Sequence, residues 1–161
     1  MSYIYDVHAN LIRKHTDALN KSERLCLAAL GLAGEFVEAK EAKKNEIVLE
    51  LGDFLWYAHL FCLEVGADFE AIVNGADKLW TGYNVSESSD AYPHICHIAE
   101  LMKKVAVTKK KTLLEVTPKL VTHLTEAVNA SFGRLMPGTT GEEVITQNIK
   151  KLELRFNEKW L

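Results

Sequence analysis

An all-α bundle is the fold class this sequence predicts, and three observations carry it. Apolar residues recur three and four positions apart through most of the chain. The 161 residues include only three prolines, Pro93, Pro118 and Pro137. No segment alternates apolar and polar residues as a half-buried strand would.

The elements follow in order. A first helix is expected over residues 3–19. Ser22 is a plausible N-cap for a second, whose inward stripe is Leu25, Ala29, Leu32 and Phe36. Lys43, Lys44 and Asn45 mark a short turn, and Asn45 can cap a third helix running to about Val65. Gly66 stands where a left-handed residue usually ends a helix, and Asp68 can cap a fourth helix reaching about Trp80. Residues 82–93, GYNVSESSDAYP, are rich in turn formers and poor in aliphatics, so they read as a linker.

Beyond it a helix is expected over 94–107, followed by a basic run over 108–112 and a helix over 113–136. Pro118 either occupies the first turn of that helix or kinks it. Pro137 and Gly138 break the chain. Thr140 and Glu143 then have the spacing of a capping box that opens a last helix through about Glu158.

A faint internal repeat joins VLELGDFLWYAHL at 48–60 to LLEVTPKLVTHL at 113–124. The chain is therefore read as one all-α domain over 1–161, an antiparallel helical bundle built as a tandem pseudo-repeat. Residues 1–81 form the half that carries the acidic words, and 94–161 form a degenerate second half. Pro118 stands near where Asp53 would align.

Bulk composition narrows the function classes. A net charge of −3 gives no global attraction to polyanions, so neither nucleic acid nor a membrane surface is an expected partner. The most apolar run, residues 47–65, is interrupted by Glu50, Asp53, His59 and Glu64, so it reads as a buried core helix and not a membrane span. Three scattered cysteines, Cys26, Cys62 and Cys96, suggest no disulfide framework, and a cytoplasmic location is expected. Gly-rich phosphate loops, GxGxxG words and serine-hydrolase motifs are absent from the sequence.

The chemistry is written in carboxylates. Glu35 and Glu38 lie three residues apart on the second helix, as do Glu50 and Asp53 on the third, so each pair occupies one helical face. The short turn between the helices makes an antiparallel hairpin that brings the two pairs together. Glu50 and Asp53 lie in a segment apolar on nearly every side, where an unneeded carboxylate would face a large desolvation cost. Two like charges about 4 Å apart repel by on the order of 4 kcal/mol at an effective dielectric near 20. A cation is the natural remedy, and all-oxygen ligation favours magnesium or manganese over zinc. Magnesium typically bridges carboxylates to substrate phosphates, which points to phosphate-ester or anhydride chemistry.

The words GLAGEFVEAKEAKK and ELGDFLWY resemble the MazG-type all-α nucleotide pyrophosphohydrolases, whose signature is ExxE followed by ExxD on neighbouring helices. The likeness is close over residues 30–60 and looser elsewhere. It implies hydrolysis of an NTP or dNTP to the monophosphate and pyrophosphate, as in nucleotide-pool house-cleaning. Glu35, Glu38, Glu50 and Asp53 would be catalytic metal ligands for Mg2+, or Mn2+, with Glu38 or Glu35 as base. The family also tends to carry an N-x-x-K-L-x-x-R word on its last helix, thought to help bind phosphates. Asn148, Lys151, Leu152 and Arg155 reproduce it, whereas the corresponding word in the first half has decayed to Gly75, Lys78, Leu79 and Gly82. Lys78, Asn148, Lys151 and Arg155 are thus expected at the substrate, with the second half lending cations to a site built by the first. Family members usually assemble as dimers or tetramers, and a homodimer is expected here.

Trp56 and Tyr57 follow Asp53 and are read either as core or as contacts for a nucleotide base. His94, Cys96, His97 and Glu100 make an incomplete set for a transition metal. Two other readings of the whole chain stand beside the enzyme. One is a di-iron carboxylate bundle, which would want Glu-x-x-His words. The other is a non-catalytic helical interaction module.

Overall fold

The computed structural model describes residues 2–82 and 90–161, and within them the chain is all-helical. Its elements are α1 (Tyr3–Thr16), α2 (Lys21–Glu41), α3 (Ile47–Val65), α4 (Phe69–Gly82), α5 (Ala91–Met102), α6 (Leu113–Ser131) and α7 (Gly141–Phe156). A π-helical turn, Lys103–Val107, extends α5, and a 3-10 turn, Phe132–Arg134, closes α6. Most of the expected linker, residues 83–89, lies outside the described residues.

Local chemistry sets the helix ends. Asn20, not Ser22, caps α2, and does so reciprocally with Glu23, which ends α1 three residues earlier than expected. Glu46 precedes α3 in place of Asn45, without a side-chain cap. Gly66 takes a left-handed φ of 74°, and Asp68 Oδ1 accepts from the Ala71 N–H at 3.0 Å to open α4. Asp90 caps α5, so Pro93 falls in its first turn, where a missing N–H costs nothing. Capping boxes at Thr112 with Glu115 and at Thr140 with Glu143 open α6 and α7. Pro118 is inside α6, past its first turn. Its ring removes the donor to the Leu114 carbonyl, and water can serve that group because Leu114 is exposed.

α3 is the hub, packed against α1, α2, α4, α6 and α7. Its Phe54, Leu55, Ala58 and Phe61 meet Leu32 of α2, Leu120 and Leu124 of α6, and Ile145 and Ile149 of α7 in one dry core. α2 and α3 run antiparallel, as their pairings show: Arg24 meets Glu64, Gly31 meets Tyr57, and Glu38 meets Glu50. α7 runs parallel to α3, bringing Asn148 to Gly52 and Lys151 to Asp53. α1 lies along α7, where Lys14 pairs with Glu158 and His15 stacks on Phe156. Among the described residues, no helix is long and apolar enough to cross a membrane.

Candidate metal centre

Close approach of α2 and α3 begins with a glycine. A Cβ on Gly31 would lie 2.3 Å from the Tyr57 ring, so only glycine lets Tyr57 lie flat on α2 one turn from Glu35. The antiparallel register then lays the two acidic pairs opposite each other.

Glu35, Glu38 and Glu50 converge: one carboxylate oxygen from each lies within 4.8 Å of the other two. Glu35 is half-buried, and its Oε2 is buried without a hydrogen-bond partner. Burial first, then the charges of Asp53, Glu38 and Glu50, push its carboxyl from the ordinary 4.5 up to about 7, with Lys151 opposing. Glu50 is raised as well, chiefly by burial and then by the charges of Asp53 and Glu38, with Lys151 opposing. Gathering like charges in this way disfavours ionisation of the cluster, and a cation among them would relieve the repulsion.

Asp53 joins the cluster from the side. Lys151 forms an ion pair with its Oδ2, and Asn148 Nδ2 donates to its Oδ1 at 2.9 Å. The expected quartet is therefore three convergent glutamates with an aspartate at their edge, tied down by α7. Lys151 does not pair with Glu153 or Glu158. Glu153 accepts the Trp160 and Leu161 backbone N–H groups, and Glu158 pairs with Lys14. The cation expected from the second half of the chain does reach the acids of the first.

Beside Asp53 opens a cleft of about 340 Å³, walled by His15, Trp56, Tyr57, Leu152, Arg155 and Phe156. Its volume is at the lower end of small-ligand pockets. Trp56 meets Tyr57 edge to face at 5.0 Å, and its indole Nε1 is buried without an acceptor. The Tyr57 hydroxyl is raised by burial first and then by the negative charges of Glu35 and Asp53, with Arg155 opposing, which puts Arg155 in the field of the same site. A second cleft, about 250 Å³ between Phe36, Lys40, Asp90 and Arg134, contains none of the four acids.

Not every expected residue arrives. Lys78 is exposed on α4; among the described residues none from α4 walls the 340 Å³ cleft, and Lys151 is the lysine whose charge acts on Glu35 and Glu50. His94, Cys96, His97 and Glu100 are not gathered as a metal set. His94 bonds His123 at 3.0 Å between Nδ1 atoms, and Glu100 pairs with Lys103. His15 and Phe156 of the cleft wall were not expected. Their stacking joins residues 141 positions apart, which no local spacing announces.

No family model matches the chain, and neither curated proteins nor solved structures give a match.

Oxygen-only ligands, a buried glutamate oxygen with no partner and three convergent carboxylates all suit a hard divalent cation. Glu35, Glu38 and Glu50 are the residues that would hold it, with Asp53 alongside.

Proposed function

We propose that this chain is a metal-dependent nucleoside triphosphate pyrophosphohydrolase of the MazG type, cleaving an NTP or dNTP to the monophosphate and pyrophosphate. The observation that carries the reading is the convergence of Glu35, Glu38 and Glu50 near an Asp53–Lys151 ion pair, with Asp53 in the wall of an aromatic cleft.

Magnesium or manganese, when bound by these carboxylates, would neutralise charge developing on the phosphates. The chain's own residues do the rest. Trp56, Tyr57 and Phe156 offer flat apolar surface for a base. Lys151 and Arg155 bring positive charge to the triphosphate from α7. Glu38 or Glu35 would accept the proton of an attacking water. The cluster contains no histidine, which speaks against the di-iron reading.

On α2, Leu30 and Val37 are 74 % and 49 % exposed on either side of Gly34, an apolar stripe that supports assembly as a homodimer. The proposed reaction would serve nucleotide-pool house-cleaning.

Pyrophosphate release, measured over a panel of canonical and modified nucleotides with and without magnesium, tests the reading, with Glu38→Gln and Asp53→Asn as controls. Magnesium-dependent release that both variants abolish is expected. Silence across the whole panel would reject the enzyme in favour of an interaction module, and coloured, iron-loaded protein would favour the di-iron bundle.

A further inference from the structure

Behind the carboxylates, the core contains a line of polar side chains that a hydrophobic bundle does not need. His59 of α3 and His8 of α1 meet at 2.8 Å through their Nδ1 atoms. His8 Nε2 lies 3.1 Å from Asn148 Oδ1 of α7, and Asn148 Nδ2 reaches Asp53 Oδ1. His8 and Asn148 are fully buried and His59 nearly so. Burying three such groups is costly unless each is satisfied, and leucines would fill the space without that cost. α3 also makes room for the line. Gly52 faces Asn148, and a Cβ there would come within 2.9 Å of the asparagine Cβ.

Hydrogen-bond chemistry fixes the direction of every link. A carboxylate ion-paired with Lys151 has only acceptors to offer, so Asn148 must turn its NH2 toward Asp53 and its carbonyl toward His8. A carbonyl only accepts, so His8 carries its proton on Nε2 and presents a bare Nδ1. His59 must then carry its proton on Nδ1 and donate it to His8. Each donor in the line points toward Asp53.

We propose that His8 and His59 are positioning residues of the candidate metal centre: acting through Asn148, they hold the Asp53 carboxylate in one orientation at the edge of the glutamate cluster. The inference rests on reading that cluster as a divalent-ion site. Without the His8 N–H, the Asn148 amide can rotate and set its carbonyl against the carboxylate, and Asp53 loses one of its two anchors. Outer partners of this kind typically change metal affinity by about 10- to 100-fold when removed.

Two measurements on the full chain test it. Nitrogen-15 correlation spectra of the metal-free protein should give a neutral His8 protonated on Nε2 and a neutral His59 protonated on Nδ1. The opposite tautomers would overturn the proposal. Titration with manganese(II) chloride, followed by electron paramagnetic resonance, should then show His8→Leu weakening the ion by about tenfold or more. His8→Gln, whose amide donates to Asn148 and whose carbonyl accepts from His59, should stay close to wild type. Unchanged affinity in folded His8→Leu, or equal loss in both variants, would overturn the role. Should His8→Leu fail to fold, the tautomers and His8→Gln still decide.

The outcomes also separate this inference from the proposed reaction. A chain that turns over no nucleotide, yet binds manganese in a His8-dependent way, rejects the pyrophosphohydrolase and keeps the positioning role. Pyrophosphate release with manganese affinity indifferent to His8 does the reverse, and a chain that binds no manganese rejects both.

Discussion

Glu35 supplies the prediction that can be worked furthest. Its carboxyl is pushed from 4.5 up to about 7, so the folded chain holds this proton more tightly than the unfolded chain does. The stability that the protonated form contributes is complete below 4.5 and is lost as pH rises through about 7. A move of that size corresponds to about 3 kcal/mol between the two protonation states, and screening at a half-buried carboxyl reduces it to about 1–2 kcal/mol. For a chain of this length that is about 3–6 °C in melting temperature.

The assay is thermal unfolding of wild type and Glu35→Gln, followed by circular dichroism, at about pH 5 and about pH 8. Glutamine keeps the size and stays neutral, so the difference between the two proteins isolates this one group. Without metal, wild type should lose about 3–6 °C relative to the variant on going to the higher pH. Saturating magnesium should restore it, because an ion among ionised carboxylates replaces the proton, and the variant should respond weakly. A difference between the proteins that ignores both pH and magnesium would refute the claim that these acids form one electrostatic unit.

Other consequences follow from the same geometry. Arg155→Ala should raise the substrate KM by about tenfold while sparing the fold, since a charge-assisted contact is worth about 1.5–3 kcal/mol; steady-state kinetics with an unchanged KM would remove Arg155 from the site. Gly31→Ala drives a methyl into the Tyr57 ring, and overpacking of this kind costs about 1–3 kcal/mol, visible as a lower urea midpoint. On the acid side, burial lowers His8 to about 4, so the stability of its neutral form is present above about 6.5 and is lost as pH falls through 4. His8→Gln should blunt that loss in an acid unfolding curve. Leu30→Glu should turn a dimer into a monomer by light scattering, and a monomeric wild type would dispose of the α2 stripe as a contact between copies.

The helices were legible because their signals are local. A threonine three residues before a glutamate, or a glycine after an apolar stripe, acts within one turn of backbone, and the structure uses Thr140 and Gly66 where the sequence suggests them. Ser22 lost to Asn20 because several polar residues there compete for the cap and geometry chooses among them, whereas α3 opens after Glu46 with no side-chain cap at all. Pro118 illustrates the same limit. How a helix accommodates a proline past its first turn depends on room for the ring beside the carbonyl four residues back and on a new partner for that carbonyl, and the exposure of Leu114 is a property of the packed molecule.

The candidate site divides along the same line. Glu35, Glu38 and Glu50 were legible because two i, i+3 pairs across a short turn have only one way to meet. Asp53 obeys the same spacing but is claimed by Lys151, 98 positions away, and by Asn148, 95 positions away. Those partners could be named from the sequence only through a resemblance, and the role of His8 not even then, since a histidine on an apolar helix face looks the same whether it fills space or directs a hydrogen bond. What distinguishes the two is the identity of the atom it faces. His8 faces an amide whose other end touches an ion-paired carboxylate, so its proton has one permitted position, and the hydrogen bonds of the core and the charge of the cleft become parts of one problem.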